Sequence, residues 1–463
     1  MVIKIFNSLA RKEEELILQE PNHLKMYVCG PTVYDRPHIG NARSAVVYDM
    51  FFRLFKKLFN DVTYVRNITD VDDKINYAAK ERSITISELT KEITRLYHQD
   101  MDALNVLRPT IEPRATEHIN EMIFLIENLI KKNHAYISDN HVLFDVNSYD
   151  DYGILSRRSL DEMIAGSRIE IASYKRNPLD FVLWKPSDKD DDPSSVFISP
   201  WGPGRPGWHI ECSAMSFKYL GKNFDIHGGG ADLQFPHHEN EIAQSCCAHE
   251  NSTYAKYWIH NGFLTVNKEK MSKSLKNFIT VNDLLEKNIS GIVIRYLLLA
   301  THYRKPLDYS DASLDNAQKS INKFYSIFDE NDLLEFKMQK NKDHNKYIDQ
   351  VVNFLCQDLN TSMSFAYIHS LAKELQGEVN VNDKYSFIAL LEFFGLIDEN
   401  YFINNSINSN IDENFIIQQI ELRNKAKKEK NWQLADKIRS DLYSHKIVLE
   451  DVTKDKTIWK VIK

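Results

Sequence analysis

The segment from residue 25 to residue 65 constrains the fold more than any other part of the chain. Residues 25–30 form a short apolar run that ends at a Gly-Pro pair, and residues 62–65 form a second run rich in β-branched side chains. Between them, residues 41–59 carry apolar side chains at helical spacing. Strand, glycine-containing turn, helix and strand make a βαβ unit. This order predicts an α/β protein with a parallel sheet and with ligands at the carboxyl ends of its strands.

The composition is that of a globular protein with several domains. The chain has 463 residues, 43% of them hydrophobic and 27% charged, which excludes collagen-like and wholly disordered chains. At roughly 150 residues per domain, about three domains are expected. The net charge is −7, so the protein is not a polycation that coats nucleic acid. Any nucleic-acid contact must therefore come from a local patch.

The cysteine content and the hydropathy pattern predict a soluble, cytoplasmic protein that does not enter a membrane. The five cysteines are too few and too scattered for a disulfide framework, so we expect reduced thiols. The first 20 residues become charged after a short apolar start, unlike a signal peptide. No later stretch approaches the ~18 uninterrupted apolar residues that a membrane-spanning helix requires.

The pattern along the chain changes several times and predicts five segments. Helical spacing near 119–131, a strand near 141–146 and then Asp-rich and Pro-rich stretches indicate an insertion into the parallel-sheet domain. Long helical patterns follow at 314–328, 347–356 and 365–375. The predicted boundaries are 1–112 and 207–308 for the two halves of the sheet domain, 113–206 for the insertion, 309–403 for a helical bundle and 411–463 for a small last domain after an Asn-rich linker.

The turn between the first strand and the first helix has the composition of a phosphate-binding loop. It runs from Gly30 to Asn41 and presents backbone N–H groups next to a helix N-terminus. Gly40 lets a flat group approach the backbone closely, and His38 can donate a hydrogen bond to a phosphoryl oxygen as charge develops. Taken alone, however, residues of this kind more often form a plain turn with a surface histidine.

A second cluster of polar residues, Lys270-Met271-Ser272-Lys273-Ser274, lies in a loop that follows a strand predicted at Tyr257–Val266. Two lysines separated by two residues suit a mobile clamp on a transferring polyphosphate. Most short Lys/Ser runs, however, are ordinary solvated loops.

A third group of residues offers metal ligands. Cys29, Cys212, His237, His238 and Glu241 supply soft sulfur, imidazole and carboxylate donors. His237 and Glu241 are one helical turn apart, which places both side chains on one face. Zinc is the metal that mixed Cys/His/Glu ligation favours in a reducing compartment. Without a CxxC pair the spacing is weak evidence, and buried thiols beside a helix-starting histidine are the alternative.

Together the three clusters resemble the class I aminoacyl-tRNA synthetases. His38-Ile39-Gly40-Asn41 corresponds to the HIGH signature of that family, and Lys270–Ser274 matches its KMSKS signature at every position, with an inserted domain between them. Further blocks resemble the cysteinyl-tRNA synthetases, and the similarity covers essentially the whole chain. These blocks lie at 27–35, 67–74, 206–215, 227–241, 432–439 and 448–451.

The resemblance implies a Rossmann-type catalytic domain with a zinc ion at the base of the amino-acid pocket. Its ligands map to Cys29, Cys212, His237 and Glu241, with His238 as the rival to His237. A zinc–thiolate bond would select cysteine over serine, so no editing domain is required. The same resemblance places four more side chains around the substrate: Thr32, Thr69, Trp208 and His227.

The implied reaction has two steps. The cysteine carboxylate attacks the α-phosphate of ATP with Mg²⁺ on the phosphates, and the cysteinyl group then passes to the terminal adenosine of tRNA(Cys). The catalytic residues implied are His38, Asn41, Lys270 and Lys273. The ATP-binding residues implied are Gly30, Thr32, His38, Gly40, Asn41, Asp232 and Lys273. Asn41 replaces the second histidine of the signature and can donate a hydrogen bond but cannot carry charge.

The helical segment is expected to lie along the tRNA, and the last domain to bind the anticodon loop. Lys427 and Trp432 suit phosphate contact and base stacking, and Asp436 and Asp451 suit hydrogen bonds to base edges. The family often has arginine at the position of Lys427, and lysine cannot make the same bidentate contact. An exposed amphipathic helix is the alternative for these residues. The resemblance also implies a monomer.

Two other functions fit parts of this pattern. A ligase that joins activated cysteine to an amino sugar shares most of the catalytic body but lacks the C-terminal domain that this chain carries. A non-catalytic binding protein derived from a synthetase would have lost Lys273 or the zinc ligands, all of which are present here.

Overall fold

The structure is a computed structural model, and it describes residues 2–157, 162–163, 172–189, 191–271, 277–339, 342, 344–377, 379–402, 413–429, 431–444, 447–451 and 457–461. The chain forms two compact units, Met1–Ile397 and Asp398–Lys463. Among the described residues, no helix combines the length and the apolar character needed to cross a membrane. The five segment boundaries predicted above stay a prediction.

The strands are, in chain order, β1 Lys4–Asn7, β2 Lys12–Glu15, β3 His23–Val28, β4 Asp61–Arg66, β5 Ala135–Ser138, β6 His141–Phe144, β7 Phe181–Pro186, β8 Phe197–Ser199, β9 Gly202–Pro206, β10 Asn223–Gly230, β11 Tyr254–Asn261, β12 Leu264–Val266, β13 Glu269–Lys270, β14 Leu307–Tyr309, β15 Ile447–Asp451 and β16 Thr457–Val461.

The α-helices are α1 Ile39–Leu58, α2 Asp73–Arg82, α3 Ile86–Ala103, α4 Ile119–Lys131, α5 Trp208–Leu220, α6 Glu239–Ala248, α7 Val281–Glu286, α8 Gly291–Ala300, α9 Asp311–Tyr325, α10 Glu330–Met338, α11 Ile348–Leu355, α12 Thr361–Glu374, α13 Val381–Phe393, α14 Glu413–Lys428 and α15 Trp432–Ser444.

A parallel sheet in the order β11-β10-β3-β4 forms the centre of the larger unit, which confirms the predicted fold class. Side chains alternate between its two faces. Tyr64 packs against Phe52 of α1 on one face, while Tyr27 and Val65 share a buried cluster with Ile210 of α5 on the other. The sheet is therefore covered on both faces, as parallel sheets require.

The predicted strand between residues 257 and 266 is wrong as a single element, because the chain turns between β11 and β12. The buried Arg43 guanidinium of α1 donates to the Gly262 and Phe263 carbonyls at 2.8 and 2.7 Å. The Phe263 carbonyl also accepts the Leu307 backbone N–H at 3.0 Å, and from this turn β12 pairs with β14 and β13 in a separate small sheet. A buried long-range contact thus decides a break that local strand propensity does not show.

The region between β4 and α5 contains α4 and β6, at the positions of the predicted helix and the predicted strand. Five strands of this region form an antiparallel sheet in the order β5-β6-β7-β9-β8. Arg205 of β9 bridges Asp73 of α2 and Asp191, at 2.6 and 2.7 Å. This ion-pair network ties the antiparallel sheet to the start of α2.

The helices from α8 to α13 follow, and the helical patterns predicted there correspond to α9, α11 and α12 with ends shifted by a few residues. The smaller unit contains α14, α15 and the antiparallel hairpin of β15 and β16. Its core is formed by six buried aliphatic residues: Ile416, Ile420, Ile438, Leu442, Ile447 and Leu449. The predicted linker at 404–410 lies outside the described residues.

Candidate active site and metal centre

A cleft of about 650 Å³ opens at the carboxyl ends of the central strands. Cys29 and Gly30 follow β3, Gly230 ends β10 and Asn261 ends β11, and all of them line this cleft. Ligands of parallel α/β sheets bind at this edge, where the strand order places loops from several strands side by side. Two groups of side chains meet the cleft, one at its floor and one at the start of α1.

The floor contains the four predicted metal ligands. Cys29, Cys212, His237 and Glu241 are all buried, and the four ligand atoms they offer lie within 4.8 Å of one another. They come from the end of β3, from α5, from the turn at 234–238 and from α6. Cys29 is the member of this group that also lines the cleft. The structure thus brings together residues that are far apart in sequence.

Hydrogen bonds hold two of these ligands in place. The His237 Nε2 lies 3.1 Å from the Glu241 Oε1, while its Nδ1 lies 2.9 Å from the Nδ1 of His209. The Tyr254 hydroxyl donates to the other Glu241 oxygen at 2.8 Å. Contacts of this kind to the second nitrogen of a histidine or the second oxygen of a carboxylate orient metal ligands in proteins.

Burial and charge set the protonation of these groups. Burial lowers the pKa of His237 to about 4, which keeps a lone pair free for a metal at neutral pH. Burial alone would raise the pKa of Glu241, but the His227 and His237 rings lower it to about 2. Burial raises the pKa of both Cys29 and Cys212. The thiols therefore need a cation to become thiolates.

A second ligand set overlaps the first. Cys29, His227, His238 and Glu241 also place their ligand atoms within 4.8 Å of one another. The Nε2 atoms of His227 and His238 each lie 3.4 Å from the Cys29 sulfur. The His238 Nδ1 in turn lies 2.8 Å from the Nε2 of His260. His238 thus remains the alternative to His237, and both sets share Cys29 and Glu241.

His38 forms the N-cap of α1 at the other side of the cleft. Its Nδ1 accepts hydrogen bonds from the Gly40 and Asn41 backbone N–H groups at 3.0 and 3.2 Å. Because Nδ1 is the acceptor, the ring proton is on Nε2, which is left to donate. Burial lowers the pKa of His38, and the Asp232 carboxylate opposes this shift only in part. The ring is therefore a neutral donor with a fixed tautomer.

Asn41 completes this cap. Its side-chain oxygen accepts the His38 backbone N–H at 3.2 Å, so the two residues form a reciprocal capping box. The departure from the family signature at this position is therefore compatible with a stable start of α1, because asparagine supplies the acceptor that the cap needs.

We expect Gly40→Ala to slow the reaction without unfolding the protein. A Cβ at this position would lie 2.8 Å from Cε1 and Nδ1 of His38, so the ring must move. A misplacement of about 1 Å at a reacting centre can lower the rate about 100-fold. Alanine in place of glycine should at the same time stabilise the helix by roughly 0.5–1 kcal/mol. ATP–pyrophosphate exchange should fall about 10- to 100-fold with little change in melting temperature. Unchanged exchange would show that the His38 ring position is not critical.

The predicted substrate residues lie around the floor of the cleft. Thr32 and Thr69 pair through a backbone bridge, and the Thr69 hydroxyl donates to Glu211 at 2.8 Å. Trp208 lines the cleft, is 39% exposed, and stacks on His237 with ring centroids 4.2 Å apart. His227 is fully buried beside the Cys29 sulfur, so it borders the metal ligands rather than the open cleft.

A further part of the cleft is formed by Asp232 and by described residues that flank 272–276. Asp232 lines the cleft together with Met271. The Ile39 backbone N–H donates to the Ile279 carbonyl at 2.9 Å, and the Phe278 ring packs edge-on against His38 at 5.2 Å. The segment after the KMSKS motif is thus attached to the start of α1. Lys273 and the side chain of Lys270 lie outside the described residues.

Sequence reasoning missed several residues of the site. His209, Tyr254 and Asn67 contact the metal ligands or their neighbours. His209 lies within a block quoted for the family resemblance and could have been found by its position three residues before Cys212. The hydroxyl contact of Tyr254 carries no local signal in the sequence.

The candidate RNA-binding residues lie in the smaller unit. Trp432, at the start of α15, is 59% exposed. Asp436 lines a cavity of about 340 Å³ with Arg439 and Tyr443. The Asp451 carboxylate binds Arg423 through two hydrogen bonds of 2.8 and 2.9 Å, and Lys427 at 2.7 Å.

This pairing changes what can be expected of Asp451. The Arg423 guanidinium beside it holds the pKa of this carboxyl well below its usual range. The stability that this ion pair contributes is therefore complete at neutral pH, and it declines as the pH falls from the ordinary pKa of an aspartate towards the lower pKa of Asp451 in the folded protein. The carboxylate positions Arg423 and Lys427 instead of standing free for a base edge.

Comparisons with known proteins identify the class to which this fold belongs. A profile of the family described as tRNA synthetases class I (C) catalytic domain matches residues 16–319. The fold is also similar to solved synthetase structures. A Mycobacterium tuberculosis methionyl-tRNA synthetase in complex with methionyl-adenylate superposes with a TM-score of 0.54 at 14% identity, covering 80% of this chain and 89% of its own. An Agrobacterium radiobacter K84 LeuRS–tRNA complex gives a TM-score of 0.57 at 10% identity, covering 82% and 84%. The fold is that of a class I tRNA synthetase.

Relatives that match over the full length identify the family within this class. A cysteine–tRNA ligase of Rickettsia prowazekii (strain Madrid E) is 52% identical over 470 residues, covering 99% of this chain and 100% of the relative. A cysteine–tRNA ligase of Rickettsia bellii (strain OSU 85-389) is 50% identical over 470 residues, with the same coverage. The chain belongs to the cysteine–tRNA ligase family.

Proposed function

We propose that the protein activates L-cysteine with ATP and transfers the cysteinyl group to the 3′-terminal adenosine of tRNA(Cys). The observation that carries this proposal is the pair of sites in one cleft. A buried group of soft metal ligands lies at its floor, and a neutral histidine donor at a helix N-terminus lies at its side. The first suits a thiol substrate, and the second suits the phosphates of ATP.

Zinc fits the residues at the floor. Two thiols, an imidazole and a carboxylate, all buried, match the donors that Zn²⁺ takes in proteins, and Cys29, Cys212, His237 and Glu241 would hold it. When bound, zinc supplies a soft Lewis acid that takes a thiolate in preference to a hydroxyl. Cys29 connects this group to the cleft, so the thiol of a bound cysteine would enter beside it.

The residues of the chain mainly position the reactants and stabilise charge. The His38 Nε2–H and the N-terminus of α1 face the cleft where the triphosphate, with its Mg²⁺, would lie. Gly30, Thr32 and Asp232 line the same space and suit the nucleotide. Lys270 and Lys273 are proposed to neutralise the pyrophosphate that leaves. This division of labour is typical of phosphoryl and adenylyl transfer, where the protein does little covalent work.

The second step requires tRNA. Trp432 offers an exposed ring for base stacking, Lys427 a charge for phosphate contact, and Asp436 a carboxylate beside a cavity. The helices α9–α13 are proposed to lie along the tRNA. We further propose that the protein acts in the cytoplasm as a monomer.

The direct experiment is ATP–pyrophosphate exchange with cysteine or with serine, together with a zinc determination on the same sample. We expect exchange with cysteine only and about one zinc ion per chain. Charging of tRNA(Cys) with labelled cysteine then separates this function from transfer to an amino sugar. Equal exchange with serine, or exchange without tRNA charging, would overturn the proposal.

We expect Asp451→Asn to weaken tRNA charging while cysteine activation is unchanged. The substitution leaves Arg423, only 4% exposed, without its counter-charge and releases Lys427. The apparent KM for tRNA should rise about tenfold, in line with the loss of one or two positioned phosphate contacts. Glu421→Gln, which removes an exposed carboxylate from the same helix as Arg423, is the matched control. A tRNA KM equal to that of the control would contradict a role for this ion pair.

A further inference from the structure

Tyr27 carries a buried polar group that the proposed reaction has not used. It lies on β3, is fully buried, and stacks on the His227 ring with centroids 5.2 Å apart. Within the described part of the chain its hydroxyl has no hydrogen-bond partner. A buried hydroxyl without a partner costs about 1–3 kcal/mol, so its retention beside a functional site requires an explanation.

The metal ligand that we consider as a partner for this hydroxyl is the Cys212 thiol. Tyr27 and Cys212 belong to the same buried cluster, and the Tyr27 hydroxyl makes no hydrogen bond to the thiol there. On another side the Cys212 sulfur lies 3.8 Å from the Asn67 side-chain oxygen, which already accepts the Gly30 N–H at 2.8 Å. That oxygen can accept the proton of a thiol but cannot donate to a thiolate.

When the Cys212 thiol becomes a thiolate, the hydrogen-bonding partner that it needs therefore changes from an acceptor to a donor. A thiol donates to Asn67, whereas a metal-bound thiolate requires a donor. Among the described residues, the Tyr27 O–H is a donor without an acceptor in the same buried cluster as Cys212. Two thiolates and the Glu241 carboxylate around one Zn²⁺ leave an excess negative charge in a buried site, which such a donor reduces.

We propose that Tyr27 positions and tunes the metal-bound Cys212 thiolate by donating a hydrogen bond from its hydroxyl to the sulfur. This inference rests on the proposed zinc site. Tyr27 acts through Cys212 and does not contact the substrate, so it is a positioning residue. The hydroxyl, which has no partner among the described residues, would gain one when zinc is bound.

The test is Tyr27→Phe in the full-length protein, with and without metal. Metal-free Tyr27→Phe should melt at the same temperature as the wild type or higher, because it loses only an unpaired hydroxyl. With zinc, the rise in melting temperature should be smaller in the variant. Competition against a chelator should show zinc affinity about tenfold weaker, the range found for changes next to metal ligands. In the Co²⁺-substituted protein, the sulfur-to-cobalt charge-transfer band should move to lower energy, because the sulfur becomes more electron-rich.

Two further variants make the result decisive. Tyr325→Phe removes a buried hydroxyl that donates to the Leu396 carbonyl, and it should change stability but not zinc affinity or the cobalt band. Tyr27→Met replaces the donor with a flexible apolar side chain and should weaken zinc binding as Tyr27→Phe does. Equal zinc affinity and an unmoved cobalt band in both Tyr27 variants would overturn the inference. A wild-type protein that takes up no zinc would overturn the proposed metal site itself, which is a distinguishable result.

Discussion

Cys212→Ser should abolish both zinc binding and cysteine-dependent ATP–pyrophosphate exchange. The substitution keeps the shape of the side chain but removes a soft sulfur from a group of four ligands whose ligand atoms lie within 4.8 Å of one another. Changes next to metal ligands already cost about 10- to 100-fold in affinity or activity, so the loss of a ligand should cost at least about 1,000-fold. Zinc content by elemental analysis and exchange with cysteine are the two measurements.

The matched control is Cys356→Ser, which places the same hydroxyl at another buried cysteine, next to α11. It should keep its zinc and its exchange activity, even if its melting temperature falls. Loss of activity in both variants would point to a general effect of a buried hydroxyl. Retention of zinc and of cysteine selectivity in Cys212→Ser would show that Cys212 is not a ligand.

The second large effect is expected at His38, where two roles can be separated. His38→Asn keeps a strong N-cap residue at the start of α1 but removes the Nε2–H that faces the cleft. His38→Ala removes both. Each variant should lose about 100- to 1,000-fold in the rate of exchange, the cost of removing one preorganised donor. Only His38→Ala should lose about 1 kcal/mol of stability.

Exchange kinetics at saturating ATP and thermal unfolding test this pair of variants. The loss should fall on kcat more than on the KM for ATP, because the donor matters most when charge develops on the phosphates. If His38→Asn exchanged at the wild-type rate, the histidine would serve only as a cap. If both variants lost activity only to the extent that they lost stability, the histidine would likewise serve only as a cap.

Local spacing in the sequence was sufficient for much of the fold. The βαβ unit, α4 and the three helical patterns after residue 308 were predicted to within a few residues, because each depends on a periodic pattern in one short segment. The break between β11 and β12 was not predicted. It depends on Arg43, which is distant in sequence and binds the Gly262 and Phe263 carbonyls.

Some features of the candidate site could likewise be predicted from the sequence, whereas others required the structure. Local sequence was sufficient to identify the residue types and the motifs, including the turn that contains His38 and the helical spacing of His237 and Glu241. The approach of Cys29 and Cys212 to His237 and Glu241 depends on long-range packing and is seen only in the fold. The same holds for the pairing of Asp451 with Arg423. The buried Tyr27 hydroxyl, which has no hydrogen-bond partner among the described residues, is also identified only from the structure. The reason is physical: periodicity reports which face of an element is buried, whereas strand order and helix packing decide which buried faces meet.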